Sequence, residues 1–238
     1  MPRQDQAGPF CGLEDWIDLV HTRKMNHSEM LRYYGLLRLV PPGVRTILDA
    51  GCGKGYMCYL LAQAGYTVHG VDINETSLAI FQHRCRTYGI TQAREDLYTY
   101  RPPEPFDLVL CQEVLEHLPH PDTALIELAR FVAPGGYGIL CVPYRENLES
   151  KMITDPVTGR QVHKNGHLHS FDPEGFRALF ENAGFREVRR QLLTSKRLLN
   201  WMGKKKRRLS GFWTGFDRTM NRHFPHRATY MAFLVRRA

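Results

Sequence analysis

Short apolar runs alternate along the chain with longer stretches in which apolar residues recur at helical spacing. The short runs are rich in β-branched residues and predict buried strands at 44–50, 67–72, 106–111 and 137–142. The stretches between them predict helices at 56–64, 75–88, 121–132 and 173–183. This order of strands and helices predicts an α/β fold built on a doubly wound, mostly parallel sheet.

The C-terminal part of the chain departs from this alternation. Residues 185–193 and 228–236 both have the pattern of strands, with no ordinary crossover helix apparent between them, and the turn-rich stretch 146–169 predicts a long substrate-side loop. The length of 238 residues suits one domain, 1–238. Within it we distinguish a helical N-terminal cover at 1–40, a core at 44–193, an insertion at 194–227 and a last strand at 228–238.

Charge is distributed unevenly. The net charge is +8, but residues 186–238 hold 15 Lys and Arg against two acidic residues, a net of +13, which leaves −5 for the rest. The insertion concentrates basic residues between Lys196 and Arg208 and places Leu, Trp and Phe among them. Such a segment suits first a solvated basic face above an apolar packing face, next an anionic membrane surface, and last RNA.

Targeting signals and cysteines bear on the cellular compartment. The N-terminus lacks the apolar stretch of a signal peptide, and no run approaches the ~18–20 apolar residues of a membrane span. Six scattered cysteines form no C-x-x-C pair. These features predict a cytoplasmic protein with reduced cysteines. Its basic insertion would allow a peripheral position on the inner face of the membrane.

The stretch 47–72 is the most informative. A strand ends at Asp49, glycines follow at 51, 53 and 55, a helix begins, and the next strand ends at Asp72. Glycines there let the backbone approach a ligand at a helix N-terminus. An acidic residue 21 positions after Gly51 is placed to accept ribose hydroxyls. A nicotinamide-binding loop, the alternative, reads G-x-G-x-x-G, whereas here the third glycine comes one residue early.

The order D-x-G-x-G-x-G resembles motif I of class I S-adenosylmethionine-dependent methyltransferases. Other stretches resemble the family in the right order, namely Glu95-Asp96-Leu97, the run from Phe106 to Cys111, the turn at 133–136 and the segment from His167 to Phe171. The branch that the chain resembles contains quinone-biosynthesis O-methyltransferases and small-molecule methyltransferases.

The resemblance carries implications for fold and cofactor. It implies a Rossmann-like, seven-stranded sheet with an antiparallel last strand, and S-adenosyl-L-methionine as the methyl donor. It also implies a set of cofactor-binding residues, which are Asp49, Gly51, Cys52, Gly53, Gly55, Asp72, Ile73, Asp96, Leu97 and Cys111.

Candidate catalytic residues follow the fourth strand, where Glu113, Glu116 and His117 would project from one face of a helical turn. This E-x-x-E-H set resembles the metal set of small-RNA 2′-O-methyltransferases and a similar set in quinone-biosynthesis O-methyltransferases. The resemblance implies Mg²⁺, Mn²⁺ or Zn²⁺ held with the help of His169, or with His167 in its place. Because a cation would lower the pKa of a hydroxyl, O-methylation is implied. Two other interpretations stay open: His117 as a metal-free general base, and a structural role for the set.

We therefore expect an S-adenosylmethionine-dependent methyltransferase acting on a hydroxyl of a small or lipid-linked molecule. A metal-dependent RNA 2′-O-methyltransferase is the second hypothesis. A cofactor-binding regulatory protein without turnover is the third.

Overall fold

The computed structural model describes residues 27–85, 88–205 and 211–238. The helices are α1 (His27–Leu37), α2 (Tyr56–Gln63), α3 (Glu75–Cys85), α4 (Pro121–Phe131), α5 (Pro173–Asn182), α6 (Lys196–Lys205) and α7 (Gly211–His223). The strands are β1 (Thr46–Ala50), β2 (Thr67–Asp72), β3 (Thr91–Arg94), β4 (Phe106–Gln112), β5 (Val132–Pro143), β6 (Met152–Thr154), β7 (Gln161–His163), β8 (Phe185–Ser195) and β9 (Ala228–Arg237).

The main sheet has the order β3-β2-β1-β4-β5-β9-β8 within the described residues. Strands β1 to β5 pair in parallel, and β9 pairs antiparallel with β5 and with β8. The prediction of a doubly wound, mostly parallel sheet with an antiparallel last strand is confirmed. Because the strand order reverses between β1 and β4, their carboxyl ends flank the crevice where open α/β sheets bind ligands.

Two apolar layers cover the faces of the sheet. One layer is built with α1, α2 and α3 and contains the buried Leu36, Leu61 and Phe81. The other is built with α4 and α5 and contains Leu125 and Phe176. Burial on both faces explains why the central strands are continuous apolar runs rather than alternating ones.

Helix boundaries follow local sequence signals. At the start of α5, the Asp172 side chain accepts the backbone N–H groups of Glu174 and Gly175, and Pro173 takes the first helical position. The helix predicted at 75–88 is described as α3 as far as Cys85, and it does not include the predicted last residue, since Tyr88 lies in a turn. Residues 86–87 lie outside the described ranges.

The insertion and the N-terminal cover are helical where they are described. Helices α6 and α7 occupy much of 194–227, and Leu198 is buried in the same layer as α1. Part of the apolar content of the insertion therefore packs on the protein itself. Residues 1–26 of the cover and 206–210 of the basic cluster lie outside the described ranges. Among the residues that are described, no helix has the length and apolar character to traverse a bilayer.

The stretch 146–169 contains more regular structure than its turn-rich sequence predicts. Strands β6 and β7 form an antiparallel hairpin, with Ile153 paired to Val162. After the hairpin, the chain returns to the end of β4, where the N–H groups of Leu168 and His169 donate to the carbonyl of Glu116 at 2.7 and 3.2 Å. The hairpin therefore brings 163–169 beside the candidate catalytic turn.

Candidate functional site

The turn between β1 and α2 holds three glycines in the left-handed region of backbone space. The φ angle is +82° at Gly51, +52° at Gly53 and +74° at Gly55, where a residue with a Cβ is strained. A Cβ on Gly51 would lie 2.2 Å from Val114, so this glycine permits close packing against the turn after β4. At Gly53, by contrast, a Cβ would have no described atom within 4 Å apart from its own chain neighbours. A ligand can approach the backbone there.

Asp72, at the end of β2, faces this turn. Its Oδ2 accepts the N–H of Gly53 and its Oδ1 accepts the N–H of Asn74, both at 2.8 Å. Each carboxylate oxygen accepts more than one hydrogen bond, so Asp72 keeps capacity for hydroxyl groups of a ligand. The neighbouring Ile73 is apolar and yet 63% exposed. Together they offer a polar anchor beside an apolar face.

Asp49 is fully buried near the end of β1. Its Oδ2 accepts a hydrogen bond from Sγ of Cys58 at 3.1 Å, and no described group donates to its Oδ1. Burial raises the pKa of Asp49 to about 7, an effect that the Cys58 thiol partly offsets. A buried oxygen without a donor is costly, and a hydrogen-bond donor on a ligand would satisfy it. The site therefore fits the cofactor that the sequence resemblance implies.

The other residues implied for the cofactor lie at the same edge of the sheet. Asp96 follows β3, and its Oδ1 accepts the N–H of Tyr98 at 2.9 Å. Cys52, Leu97 and Cys111 are buried. The structure thus gathers the whole predicted set at the carboxyl ends of β1 to β4, and its role in cofactor binding stays a prediction.

Glu113, directly after β4, forms an ion pair with Arg32 of α1. The distance from Arg32 Nη1 to Glu113 Oε2 is 3.2 Å, with side-chain exposures of 9% and 22%. Burial raises the pKa of Glu113 to about 7, against the opposing charge of Arg32. The structure therefore assigns Glu113 a cationic partner within the protein, which the sequence did not indicate.

Glu116 is, like Asp49, a fully buried acid of the site. Its residue exposure is 0%, and neither carboxylate oxygen has a hydrogen-bond partner among the described groups. Burial, reinforced by the nearby charge of Glu113, raises the pKa of Glu116 to about 9. A buried carboxyl group with both oxygens available suits a proton or a cation as its partner.

His117 and His167 face each other across the site, with ring centroids 4.7 Å apart. Nδ1 of His117 lies 3.2 Å from the carbonyl oxygen of Gly166. Nδ1 of His167 is hydrogen-bonded to Oε2 of Glu146, whose other oxygen contacts Nζ of Lys151. Burial lowers the pKa of His117, and the charge of His167 lowers it further. Partial burial raises the pKa of Glu146, but the hydrogen bonds from Lys151 and His167 outweigh this effect, so that the pKa is lowered.

His169, which the sequence resemblance favours as a metal ligand, lies outside the groups of described side chains that could share a cation. Its Nε2 is 2.9 Å from the carbonyl oxygen of Leu118. Among the described residues, the side chains placed closely enough to share a cation form two groups: Glu116, His117 and His167, and Glu146, His163 and His167. His169 and Glu113 belong to neither group. The first group fits a divalent cation, since it joins an unpartnered buried carboxyl to two imidazoles.

Sequence reasoning missed three residues that lie beside the candidate catalytic turn: Arg32, Glu146 and His163. Arg32 lies within the predicted N-terminal cover, but an arginine on a helix is most often solvated. Glu146 and His163 lie in the stretch that the sequence indicated only as a loop. The spacing of His163 and His167 around a turn was the one available signal.

Comparison with known proteins places the chain among methyltransferases. The ubiquinone biosynthesis O-methyltransferase of Pseudomonas fluorescens is 38% identical over 96 residues, which are 39% of this chain and 41% of that protein. The chain therefore matches about two fifths of the length of that relative.

Solved structures share the fold. An S-adenosylmethionine dependent methyltransferase from Mesorhizobium loti has a TM-score of 0.63 at 19% identity, over 87% of this chain and 98% of the other. The N-methyltransferase NodS from Bradyrhizobium japonicum, in complex with S-adenosyl-L-homocysteine, has a TM-score of 0.61 at 19% identity, over 97% and 99%. A family model described as a methyltransferase domain matches residues 22–190. Because that match covers most of the chain, the protein belongs to the methyltransferase domain family.

Proposed function

We propose that the protein is an S-adenosylmethionine-dependent methyltransferase that methylates a hydroxyl group of a small or lipid-linked molecule. One arrangement carries the proposal. The open backbone at Gly53, joined to Asp72 at 2.8 Å, lies at the same sheet edge as the buried acid and imidazoles after β4. A cofactor turn and a polar reaction site thus meet at the crevice where the strand order reverses.

The residues proposed to hold the cofactor divide by chemistry. Asp72 would accept hydroxyl groups, Asp49 would accept a donor through its unpartnered Oδ1, and Asp96 would accept at the end of β3. Ile73 and Leu97 would provide apolar contact. When bound, S-adenosylmethionine supplies a methyl group on a positively charged sulfur.

The acceptor side has two tasks, orientation and proton removal. Holding an oxygen nucleophile in line with the methyl can lower the barrier by ~7–11 kcal/mol. As the new oxygen–carbon bond forms and the sulfur–carbon bond breaks, the hydroxyl must release its proton. The turn after β4 supplies the groups that hold the oxygen and receive this proton.

For this turn we propose that Glu116, His117 and His167 would hold a Mg²⁺, Mn²⁺ or Zn²⁺ ion. A cation there lowers the pKa of a hydroxyl and fixes its position. His117 without a metal is the second candidate, because its Nδ1 faces a carbonyl and its Nε2 lone pair is available to a proton. Chelation decides between them: activity abolished by EDTA and restored by Mn²⁺ supports the cation, and undiminished activity supports His117.

The acceptor class rests on the named relative and on surface charge. The quinone-related name of the relative favours a small or lipid-linked hydroxylated molecule. Exposed basic residues lie on α6 and α7, and α7 also carries the partly exposed Phe216; the basic residues are Lys196, Arg197, Arg218 and Arg222. Charge of this kind would draw the protein to an anionic membrane surface. Flotation with vesicles that contain or lack phosphatidylglycerol tests this attraction. If the protein floats equally with both kinds of vesicle, the anionic surface has no role.

The activity is tested by incubating the protein with methyl-labelled S-adenosylmethionine and an extract of a strain deleted for the gene. Label in the organic phase is expected and supports a hydrophobic hydroxyl acceptor. Label in the RNA fraction would instead support the 2′-O hypothesis. Binding of the cofactor with no label transferred in any fraction would support the regulatory one. The variant Asp72→Ala, which loses the proposed cofactor anchor, is the negative control.

A further inference from the structure

His167 belongs to both groups of side chains that could share a cation. In one it joins Glu116 and His117, and in the other it joins Glu146 and His163. A neutral imidazole offers a lone pair at only one of its nitrogens. The nitrogen that carries the proton therefore decides which group can bind an ion.

Hydrogen bonds fix the proton on two of the rings. The carbonyl of Gly166 only accepts, so Nδ1 of His117 must carry a proton and Nε2 keeps the lone pair. Nδ1 of His167 faces the carboxylate of Glu146, so it too donates and leaves Nε2 free. Metal-binding histidines generally donate their second ring N–H to a carboxylate or a carbonyl in this way. Both rings are thus arranged as ligands through Nε2.

His163 has the opposite arrangement. The backbone N–H groups of His167 and Asn165 point at its Nδ1, at 3.1 and 3.4 Å. Because an amide N–H only donates, Nδ1 of His163 must accept, and the proton of the neutral ring lies on Nε2. That Nε2 lies 3.9 Å from Oε1 of Glu146. Protonated there, His163 has no lone pair for an ion in the second group.

Both carboxylate oxygens of Glu146 already have partners in the protein. One oxygen accepts from His167 and the other contacts the ammonium group of Lys151, which is itself a competitor for a cation's place. The side chain of Glu146 is only 5% exposed and that of His167 only 8%. With Nδ1 of His167 engaged by this buried carboxylate, Nε2 is the nitrogen through which the ring can bind an ion together with Glu116 and His117.

We infer that Glu146 is a positioning residue, which orients His167 so that its Nε2 completes a cation site with Glu116 and His117, and that His163 is not a ligand. The inference rests on the cation in the proposed function. Removing such an outer hydrogen-bond partner typically weakens metal affinity by about 10–100-fold.

Calorimetric titration of the full chain with Mn²⁺, without methyl donor, tests the inference. Glu146→Gln keeps the shape of the side chain but loses its charge, and we expect it to bind Mn²⁺ about 10-fold more weakly, with about 100-fold expected for Glu146→Ala. Glu149→Gln is the matched control, since Glu149 is an exposed glutamate three residues away. His163→Asn keeps an acceptor near the Nδ1 position, and both of these variants should bind as the wild type does.

A second measurement reports directly which nitrogen of the His167 ring carries the proton. In ¹⁵N spectra of the protein without metal, His167 should carry its proton on Nδ1, and Glu146→Ala should lose this preference. An unchanged affinity for S-adenosylhomocysteine verifies that each variant is folded.

Three outcomes would overturn the inference. If Glu146→Gln binds Mn²⁺ like the wild type, Glu146 positions nothing. If His163→Asn weakens binding as much as Glu146→Gln does, the ion lies in the second group and Glu146 is a ligand. If the wild type binds no Mn²⁺ and methylates in EDTA, the inference fails while the methyltransferase function stands.

Discussion

Arg32 and Glu113 connect the helix that covers the site to the end of the central strand β4. Their closest atoms, Nη1 and Oε2, lie 3.2 Å apart, and the guanidinium also stacks over the ring of Tyr230 at 4.7 Å from its centroid. Glu113 has a φ of +54°, in the left-handed region that a glutamate rarely adopts. A strained backbone at a ligand crevice is typical of a functional position.

Removing Arg32 should destabilise the protein strongly. Arg32→Gln leaves the carboxyl of Glu113 buried without its counter-charge, and breaking a buried pair in this way costs about 3–5 kcal/mol. The double variant Arg32→Gln/Glu113→Gln should regain part of that loss. Urea unfolding of both variants measures it.

The exposed pair Arg94–Glu75 is the matched control, with side-chain exposures of 60% and 75%. Exposed pairs contribute about 1 kcal/mol or less, so Arg94→Gln should change the free energy of unfolding little. Equal losses for Arg32→Gln and Arg94→Gln would show that burial of the Arg32–Glu113 pair has no energetic consequence.

Asp72→Asn should weaken binding of S-adenosylhomocysteine by about 10–100-fold, because hydrogen bonds to a charged acceptor contribute about 1.5–3 kcal/mol. An amide offers one acceptor oxygen, and the N–H of Gly53 at 2.8 Å already faces one carboxylate oxygen. Isothermal titration measures the affinity. Asp122→Asn, an exposed aspartate in the first turn of α4, is the control. Unchanged affinity in Asp72→Asn would remove Asp72 from the cofactor site.

Local signals in the sequence predicted most of the sheet and the cofactor turn. Strand β4 contains the predicted 106–111 and extends one residue further, because a strand buried on both faces is visible as an apolar run. The glycine turn and Asp72 are separated by a fixed spacing that one βαβ unit imposes. Neither inference needed contacts between distant parts of the chain.

The remaining parts of the site depend on such distant contacts. Arg32 meets Glu113, and Glu146 meets His167, only after α1 has packed and the β6–β7 hairpin has folded back. The proton positions on the three histidines follow from backbone groups whose location no sequence pattern specifies. The burial of Leu198 was equally ambiguous, since an amphipathic helix can face a bilayer or its own core.

Asp217 is a further residue that the sequence concealed, a single acid within the basic insertion. It is buried and accepts the N–H groups of Thr194 and Ser195 at 2.9 and 2.6 Å and the amide of Asn221 at 3.0 Å. In Asp217→Asn, the N–H₂ group of the amide replaces one acceptor oxygen and faces one of these N–H donors, which then has no acceptor. We expect a loss of about 1–3 kcal/mol, the cost of an unsatisfied buried donor.

Urea unfolding measures this loss, with Asp122→Asn as the control, for which about 0.5 kcal/mol or less is expected. S-adenosylhomocysteine affinity should stay unchanged, because Asp217 attaches α7 to the end of β8 rather than to the cofactor turn. Full stability in Asp217→Asn would mean that the insertion does not depend on this contact.

Glu116 should make the stability of the metal-free protein depend on pH. Its pKa is about 9 in the folded state against 4.5 for an unperturbed glutamate. Between these values the unfolded chain releases this proton and the folded protein keeps it. The contribution of Glu116 to stability is therefore greatest below about pH 4.5, falls as pH rises, and levels off above about pH 9.

Glu116→Gln cannot titrate and should lose this dependence. Relative to the wild type, the variant should gain roughly 1 kcal/mol or more in free energy of unfolding between pH 5 and pH 8. Urea unfolding in EDTA at several pH values measures the difference, and Glu149→Gln, an exposed glutamate, should give a curve parallel to the wild type. A parallel curve for Glu116→Gln as well would mean that Glu116 is ionised when buried. In that case a positive group must already neutralise it in the folded protein.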